Sequence, residues 1–470
     1  MGWTGQSPAL TPTLDRMARE GTAFTSAITP NPVCGPARYC LYTGQYSSSN
    51  GVLINEATPR PFTPLAEHLK RAGYATANIG KMHATPFHER LGFDYCLHHE
   101  FFINPGGISH YDAYLRQQCE KRGIEHEGFG PSGSDGRNWL ESARHIAFEN
   151  WVPEDLTAER WTSDQSLEFI RQHQAKNPDQ PFFLHASYFP PHHPFAPIKK
   201  FLDQIPEDLP LPPNFGVAPK RQGEFCDFTE DEYRHLIRHY YAFVLQLDDA
   251  IGRLLEGLES LGVADDTIVI YTADHGDMIG EHRQLYKGLM YEGSVGIPLI
   301  CKGPGIAAGQ RIDTPVSLLD LPPTLLDIAG AEIPASYEGR SLRSALGEGG
   351  SLASELVFSE FYTPYEDCES RLEPRYLMVR DGPWKLIRNH PWLRIPETEL
   401  YHLGEDPWEK HDRIDDPGCA AIRARLEGKL DAFWKRQSAR LPDSPPKPQP
   451  RSEYAMIWPA NGTSPVAPLN

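Results

Sequence analysis

The stretch NPVCGPARYCLYTG, residues 31–44, sets a cysteine, a glycine, a proline and an arginine close together before a run typical of a helix. Pro36 is tolerated in the first turn of a helix, where its missing N–H is no loss. Cys34 is therefore predicted to lie at or just before a helix N-terminus, which carries partial positive charge and favours anions. Arg38 follows one turn later on the same face. Such surroundings are typical of a reactive or modified cysteine, whereas an average cysteine near an arginine is a buried structural residue.

Helical patterns alternate with short apolar runs around this stretch, which is typical of an α/β fold. The unbroken apolar run within residues 266–277 predicts a buried strand in a parallel sheet that is covered on both faces. We interpret residues 1–350 as one catalytic domain. The other predicted segments are a helix and a strand over residues 11–24 separated by Gly21, a helix and a strand over residues 62–83 separated by Gly73, a strand over residues 181–189, and a helix over residues 233–262.

The pattern changes beyond residue 355, and residues 351–440 are predicted to form a smaller α+β subdomain with a helix near residues 418–437. The proline-rich segment 441–470 cannot form a continuous helix and is predicted to be an extended tail. Residues 103–160 contain GG, PSGSDG and many charges, and we interpret them as an insertion of loops over the site. The predicted antiparallel strands are LVFSEF (356–361), RYLMVRDGPWKLIRN (375–389) with its DG turn, and ETELYHL (397–403).

The composition of the 470 residues is that of a globular protein, with 40% hydrophobic and 23% charged residues. The formal net charge of −18 argues against nucleic-acid binding, which needs a basic face, but it leaves room for a small anionic substrate in a focused cationic cleft. No apolar run is long enough for a membrane span, and no secretory leader is visible. The eight cysteines include no CxxC pair, so we expect reduced, buried thiols and a cytoplasmic location, with Cys34 as the exception.

Two further segments place basic side chains after predicted strands. In GKMHATPF (80–87), Lys81 and His83 are two residues apart, so on an extended segment their side chains point the same way. In SYFPPHHPFAP (187–197), prolines are expected to keep the chain extended, so that His192 and His193 point apart and one of them faces the site. Taken alone, each histidine or lysine is as well explained by structural hydrogen bonding or solvation.

The last segment is TADHGDMIGEHRQLYKGLMYEG, residues 272–293. Asp274 and His275 end the predicted buried strand, and a carboxylate beside an imidazole makes half of a metal site. Gly276 is expected to allow a sharp turn, and Lys287 lies in the loop that follows. Ligands of open parallel sheets bind at the carboxyl ends of the strands, so these segments are expected to meet in one site.

The chain resembles the sulfatase family of the alkaline phosphatase superfamily, over about residues 2–435. CGPAR (34–38) matches the family's Cys-x-Pro-x-Arg pattern, which is highly specific in this context. The resemblance implies a large mixed β-sheet sandwiched between helices, with a smaller C-terminal α+β subdomain. The supporting motifs, in family order, are LYTG (41–44), GKMH (80–83), PHHPF (191–195), ADHGD (273–277), YKGLMYEG (286–293) and ELYHLGEDPWEKHD (399–412).

The resemblance also implies a chemistry. A dedicated formylglycine-generating enzyme would oxidise Cys34 to Cα-formylglycine, whose hydrate offers one hydroxyl to attack the sulfur and another to expel sulfate. A divalent cation would activate the hydrate. His83 would hold the spare hydroxyl and take its proton, and His192 would protonate or bind near the leaving oxygen. The cationic side chains that would neutralise charge are Arg38, Lys81 and Lys287.

The chain departs from the family at its front end, where the family has an apolar strand that ends in two metal-binding aspartates. No aspartate precedes Asp15 here, so the expected ligands are residue 34, Asp274 and His275, a set that would hold a hard cation poorly. We expect a misassigned start rather than a truncated relative, because the other motifs are intact. His275 stands where many members carry asparagine, which shifts the expected metal from calcium toward manganese.

Three functions follow from these observations. The first is a sulfuric ester hydrolase, similar to bacterial choline-sulfatases or arylsulfatases, that acts on a small-molecule or saccharide sulfate ester. The second is a phosphonate monoester or phosphodiester hydrolase of the same superfamily, since a tetrahedral phosphoryl group fits the same cations. The third is a truncated, non-catalytic binder. A homo-oligomer is a further expectation, because the proline-rich tail could embrace a neighbour.

Overall fold

The computed structural model describes residues 2–4, 9–86, 89–100, 109–125, 143–217, 224–225, 228–362, 374–389 and 398–441. Its strands are β1 (Thr22–Ile28), β2 (Ala75–Gly80), β3 (Tyr95–His98), β4 (Phe182–Ser187), β5 (Glu224–Phe225), β6 (Val269–Thr272), β7 (Gln284–Leu285), β8 (Gly296–Lys302), β9 (Gln310–Ile312), β10 (Val316–Ser317), β11 (Val357–Phe361), β12 (Tyr376–Asp381), β13 (Trp384–Asn389) and β14 (Thr398–His402). Its α-helices are α1 (Pro12–Glu20), α2 (Cys34–Thr43), α3 (Ser47–Asn50), α4 (Leu65–Arg71), α5 (His110–Arg122), α6 (Ala143–Ile146), α7 (Ala158–Lys176), α8 (Lys199–Leu202), α9 (Glu230–Ser260), α10 (Glu292–Val295), α11 (Leu321–Ile328), α12 (Arg343–Leu346) and α13 (Ala420–Ser438).

Helices and strands alternate through most of the chain, and the predicted mixed α/β fold with a smaller C-terminal sheet is confirmed. The first sheet has the order β10-β1-β8-β6, with β9 also on β1; β8 is antiparallel to both β1 and β6. The second sheet has the order β3-β2-β4 and is parallel throughout. Helix α1 packs on β8, and α7 packs on β2 and β4, so helices cover both sheets.

The predicted helix and strand over residues 11–24 are α1 and β1, with Gly21 between them. Residue 21 must be glycine, because a Cβ there would lie 2.2 Å from the carbonyl oxygen of Cys301. The long helix α9 begins three residues before the predicted start, where Thr229 and Glu232 form a reciprocal capping box. Asp248 of α9 accepts hydrogen bonds from the N–H groups of Thr13 and Leu14, which fixes the first turn of α1.

The prediction of a buried strand in a parallel sheet within residues 266–277 is wrong. The strand is β6, which pairs with β8 in the antiparallel sense, and all four of its residues are only half-buried. No strand of the described residues pairs with the other edge of β6. An apolar run therefore predicted the strand, but it did not report the direction or the identity of the pairing partner.

The predicted C-terminal strands and helix are confirmed as the antiparallel sheet β11-β12-β13-β14 and α13. The ring of Phe433 in α13 stacks on that of Phe358 in β11, with centroids 4.3 Å apart. Residues 103–160 contain more helix than expected: α5 begins with a capping box between Ser109 and Asp112, and α6 follows. Residues 103–108, 126–142 and 442–470, which carry the rest of the predicted insertion and tail, lie outside the described residues.

None of the helices in the described part of the chain combines the length and the apolarity needed to cross a membrane.

Candidate active site

Cys34 is the first residue of α2, at the helix N-terminus that the sequence indicates. Val33, before it, is extended, and the N–H of Gly35 donates to the side-chain oxygen of Asn55 at 2.9 Å. The Cys34 side chain is buried and its Sγ lies 3.1 Å from Nε2 of His275. Its position therefore combines burial, the start of a helix and an imidazole partner.

Arg38 joins the ends of three strands from the next turn of α2. Its Nε donates to Oδ2 of Asp274 at 2.8 Å, directly after β6. Its Nη1 donates to the carbonyl oxygen of Lys81, after β2, at 2.8 Å and to Oγ of Ser187, at the end of β4, at 2.9 Å. Sequence reasoning missed Ser187, because a single polar residue at the end of a strand belongs to no motif with a recognisable spacing.

Asp274 and His275 lie beside Cys34, with one ligand atom from each of the three residues within 4.8 Å of the others. Nδ1 of His275 donates to the carbonyl oxygen of Gly276 at 2.7 Å, which orients the imidazole with Nε2 toward Cys34. Gly276 is needed for a different reason than the predicted turn: a Cβ there would lie 2.2 Å from the carbonyl oxygen of Gly293.

Lys287 and His192 form the opposite side of the site. Lys287 Nζ donates to Nε2 of His192 at 3.0 Å, and Nδ1 of His192 donates to the carbonyl oxygen of His193 at 2.7 Å. The expectation that His192 and His193 point apart from an extended segment is wrong. The chain turns at residues 190–194, and the two imidazoles stack with centroids 4.2 Å apart.

Lys81 and His83 follow β2, but the expected extended segment is wrong here too. His83 has a φ angle of 57°, and its N–H and that of Met82 both donate to Oε1 of Glu100, at 2.5 and 2.7 Å. Sequence reasoning missed Glu100, which is buried and follows β3. Lys81 is buried, with Nζ 5.1 Å from the ring centroid of Phe189. The catalytic role of His83 stays a prediction.

The charges of the site favour a thiolate at Cys34. Burial opposes ionisation, yet Lys287, Lys81 and His275 hold the pKa of the Cys34 thiol well below its ordinary value. Burial lowers the pKa of Lys81, whereas the Cys34 thiolate raises the pKa of Lys287 against burial. Burial, reinforced by Lys287, lowers the pKa of His192 to about 3, so this imidazole is neutral at neutral pH.

The motifs and this geometry agree with the comparisons to known proteins. The sulfatase family model matches residues 1–331, and the model for the C-terminal region of N-sulphoglucosamine sulphohydrolase matches residues 280–436. The chain belongs to the sulfatase family. The arylsulfatase of Clostridium perfringens is 32% identical over 385 residues, which cover 77% of this sulfatase and 78% of the relative. The N-acetylglucosamine-6-O-sulfatase of Bacteroides thetaiotaomicron is 28% identical, with 92% and 83% covered.

Solved structures share the fold of this sulfatase at low identity. A structure in complex with its substrate D-glucosamine-2-N,6-O-disulfate has a TM-score of 0.73, 24% identity, and coverage of 94% of this chain and 96% of the other. The phosphonate monoester hydrolase of Agrobacterium radiobacter has a TM-score of 0.75 and 23% identity, with 93% of each chain covered. The family and the sulfatase relatives support sulfate ester hydrolysis, and a formylglycine and a divalent metal are typical of the family.

The residues of this sulfatase that are described do not by themselves fit a hard divalent cation. Cys34, Asp274 and His275 offer one sulfur, one carboxylate and one imidazole. Both oxygens of Asp274 already accept hydrogen bonds, from Arg38 and from the N–H of His275. Calcium takes six to eight oxygen ligands, and magnesium or manganese also favours an oxygen shell. The donor set is therefore a fragment of a metal site.

Proposed function

We propose that this protein releases inorganic sulfate from a saccharide sulfate ester, with residue 34 as the nucleophile. The observation that carries the proposal is the position of Cys34 at the start of α2, buried, with Lys287, Lys81 and His275 acting on its charge. A helix N-terminus with buried cations stabilises both an ionised nucleophile and a sulfate anion.

Conversion of Cys34 to Cα-formylglycine is part of the proposal, because a sulfate bound to a thiol would not leave readily. The hydrated aldehyde supplies two hydroxyls, one to attack sulfur and one to expel sulfate and restore the aldehyde. A formylglycine-generating enzyme is the implied partner. We expect this conversion to be visible by mass spectrometry of the peptide that contains residue 34, as the replacement of sulfur by oxygen and the loss of two hydrogens.

The side chains around residue 34 have different proposed roles. Lys81 and Lys287 bind the sulfate oxygens, since both ammonium groups act on the charge at residue 34. Arg38 holds Asp274 and the strand ends in place through its hydrogen bonds. His192 is neutral at neutral pH, so its Nε2 accepts from Lys287, and it binds near the leaving oxygen rather than protonating it.

A saccharide substrate is supported by the N-acetylglucosamine-6-O-sulfatase relative. The test compares initial rates on N-acetylglucosamine-6-sulfate, choline sulfate, an aryl sulfate and a phenyl phosphonate ester, using protein with confirmed formylglycine. We expect sulfate release, fastest from the saccharide. A faster reaction with choline sulfate or the aryl sulfate would contradict the substrate class only.

The second candidate function, phosphonate monoester hydrolysis, is favoured by the fold shared with the Agrobacterium radiobacter enzyme. A faster phosphonate reaction in the same assay would establish it in place of sulfate ester hydrolysis. If a converted protein turned over no ester, the third hypothesis, a non-catalytic binder, would replace both.

The remaining expectations are part of this proposal. We propose a calcium or manganese ion as the divalent metal, with manganese favoured by the imidazole of His275. We propose a cytoplasmic location, which is supported by the free thiols of Cys34, Cys40, Cys96, Cys119, Cys301 and Cys419 among the described residues. Inductively coupled plasma mass spectrometry and cell fractionation test these two expectations, and analytical ultracentrifugation tests the homo-oligomer.

A further inference from the structure

The segment that carries Lys287 is attached to the C-terminal sheet. It comprises residues 287–295 and includes helix α10. Its apolar side chains share one hydrophobic cluster with side chains from β11, β12, β13 and β14. Oε2 of Glu399, in β14, accepts hydrogen bonds from the hydroxyl of Tyr291 at 3.1 Å and from that of Tyr401 at 2.6 Å. The place of Lys287 in the site therefore depends on how this segment sits on the C-terminal sheet.

Helix α10 also supports the turn that follows Asp274. The N–H of Gly276 donates to the carbonyl oxygen of Ser294 at 2.9 Å, and the N–H of Thr29 donates to that of Val295 at 2.9 Å. The hydroxyl of Thr29 in turn donates to the carbonyl oxygen of Asp274 at 2.6 Å. A shift of α10 would therefore be felt on both sides of the site.

A buried ion cluster joins α10 to the C-terminal sheet. Lys385, in β13, is fully buried, and its Nζ donates to Oε1 of Glu292 in α10 at 2.8 Å. The same Nζ lies 2.8 Å from Oε1 of Glu409, and Oε2 of Glu409 accepts from the N–H of Glu292 at 2.7 Å. Glu409 has a φ angle of 51°, in the left-handed region that residues other than glycine seldom adopt. We call these three residues the Lys385 cluster.

The balance of charge in the Lys385 cluster depends on its lysine. Burial opposes the ionisation of Glu292, but Lys385 and Arg380 hold its pKa below the ordinary value. Burial raises the pKa of Glu281 to about 7, and the carboxylate of Glu409 adds to this rise. Without Lys385, the buried carboxylates of Glu292 and Glu409 would lie side by side with no ammonium between them, and like charges in that position repel.

We propose that Lys385 is a positioning residue for the reaction, which acts through Glu292 and α10 on the placement of Lys287. Its own ion pairs are with Glu292 and Glu409, so its influence on residue 34 passes along the segment from Lys287 to Glu292. The expected effect on turnover rests on the proposed function. The effect on the unconverted Cys34 thiol does not, because Lys287 favours the thiolate whether or not the protein hydrolyses an ester.

The test compares three variants with the unsubstituted protein. Lys385→Met removes the charge and keeps an unbranched side chain, and Lys385→Arg keeps the charge. Arg388→Met is the matched control, because Arg388 lies in the same strand on the opposite face and pairs with the exposed Asp431. Each protein is studied with an unconverted thiol, by the pH dependence of iodoacetamide alkylation, and with formylglycine, by steady-state kinetics of sulfate release.

We expect Lys385→Met to raise the pKa of the Cys34 thiol by about one unit, since a displaced Lys287 stabilises the thiolate less. The value of kcat/KM should fall by about tenfold or more, because a small misplacement of a charge-stabilising group is costly. Lys385→Arg should recover most of both quantities. Arg388→Met should match the unsubstituted protein in both.

An unchanged thiol pKa in folded Lys385→Met would overturn the proposal, even if the urea midpoint fell, because the cluster would then stabilise the sheet without positioning Lys287. An equal shift in Arg388→Met would overturn it too, since any loosening of the sheet would suffice. If circular dichroism shows Lys385→Met to be unfolded, Lys385→Met/Glu409→Gln replaces it. This double variant leaves no unpaired couple of carboxylates and should show the same shift of the thiol pKa.

Sulfate release is a separate readout. If no converted protein released sulfate, the unsubstituted one included, the proposed function would fail while the alkylation result on Lys385 would stand. Normal sulfate release by the unsubstituted protein, together with an unchanged thiol pKa in the lysine variants, would leave the proposed function intact and remove the positioning role of Lys385.

Discussion

The two sides of the site differ in how completely they are built. On the anion side, Lys287 and His192 are held by hydrogen bonds, Lys81 is buried against an aromatic ring, and their elements are paired or packed. On the metal side, Asp274 and His275 follow a strand whose outer edge is unpaired among the described residues, and they offer only two non-sulfur ligands. The described residues thus form an ordered anion-binding site beside an incomplete set of metal ligands.

Anion binding and metal binding therefore rest on different parts of the fold. The anion side depends on the start of α2 and on the loops after β2, β4 and β7. Local sequence and the pairing of these strands position the loops. The metal side depends on the end of β6, which pairs with β8 in the first sheet. Changes on the anion side should therefore alter activity with little loss of stability, and changes on the metal side should alter both.

Replacement of the nucleophile has the largest expected effect. Cys34→Ala should turn over the sulfate ester at least about 10⁴-fold more slowly than the unsubstituted protein with formylglycine at residue 34, because no covalent route remains. Cys40→Ala is the matched control: this thiol is buried in the same helix beside Ser47, and burial raises its pKa, so it is inert. Initial sulfate-release rates measure both variants. Equal losses in the two would show that α2 packing, not residue 34, governs activity.

Asp274→Asn tests the metal side, with the next largest expected effect. It leaves the buried guanidinium of Arg38 without its anionic partner, so the free energy of unfolding should fall by about 3 kcal/mol, with loss of activity. Asp203→Asn, which breaks the exposed pair with Lys199, should cost less than about 1 kcal/mol. Urea unfolding measures both. An unchanged urea midpoint for Asp274→Asn would show that the metal side, like the anion side, contributes little to the free energy of unfolding.

The same carboxylate predicts a pH dependence. Burial opposes its ionisation, but His275 and Arg38 hold the pKa of Asp274 below its ordinary value of 3.8. A lowered folded-state pKa gives stability that is present above the unfolded pKa and is lost as the pH falls toward the folded value. The free energy of unfolding should therefore decrease below about pH 4, and more steeply in the native chain than in Asp274→Asn. Parallel curves for the two proteins would exclude Asp274 as the source.

Much of the fold and of the anion side could be predicted from the sequence, because local sequence patterns determine these elements. The helix start at Cys34 follows from the proline and glycine that flank it, and alternating apolar runs predicted β1, β2 and β4. The pairing of β6 with β8 could not be predicted, since partners are chosen by packing between distant segments. Ser187 and Glu100 were missed because a single polar residue after a strand has no spacing that distinguishes it. The stacking of His192 on His193 depends on a turn at residues 190–194. The prolines of this segment had predicted an extended chain instead.

Lys287→Met tests the anion side and should lower kcat/KM by about 10²- to 10³-fold, as loss of one charge-stabilising donor does. Stability should change little, while the pKa of the unconverted Cys34 thiol should rise, because a nearby positive charge is lost. The pH dependence of alkylation by iodoacetamide measures this pKa. Lys199→Met, at an exposed helical site, is the control and should change neither quantity. If Lys287→Met left the pH dependence of alkylation unaltered, Lys287 would have no effect on the pKa of the Cys34 thiol.

The smallest effect is expected at Glu100, a positioning residue that acts through the backbone of His83. Glu100→Ala leaves the buried N–H groups of Met82 and His83 without their acceptor, whereas Glu100→Gln keeps an uncharged oxygen there. We expect kcat to fall about tenfold in the alanine variant and about threefold in the glutamine variant, with KM unchanged. Glu348→Ala, on an exposed turn, should leave both constants as they are. A merely structural role would lower the melting temperature of Glu100→Ala and leave kcat intact, so steady-state kinetics on folded protein decide whether the anion side extends to His83.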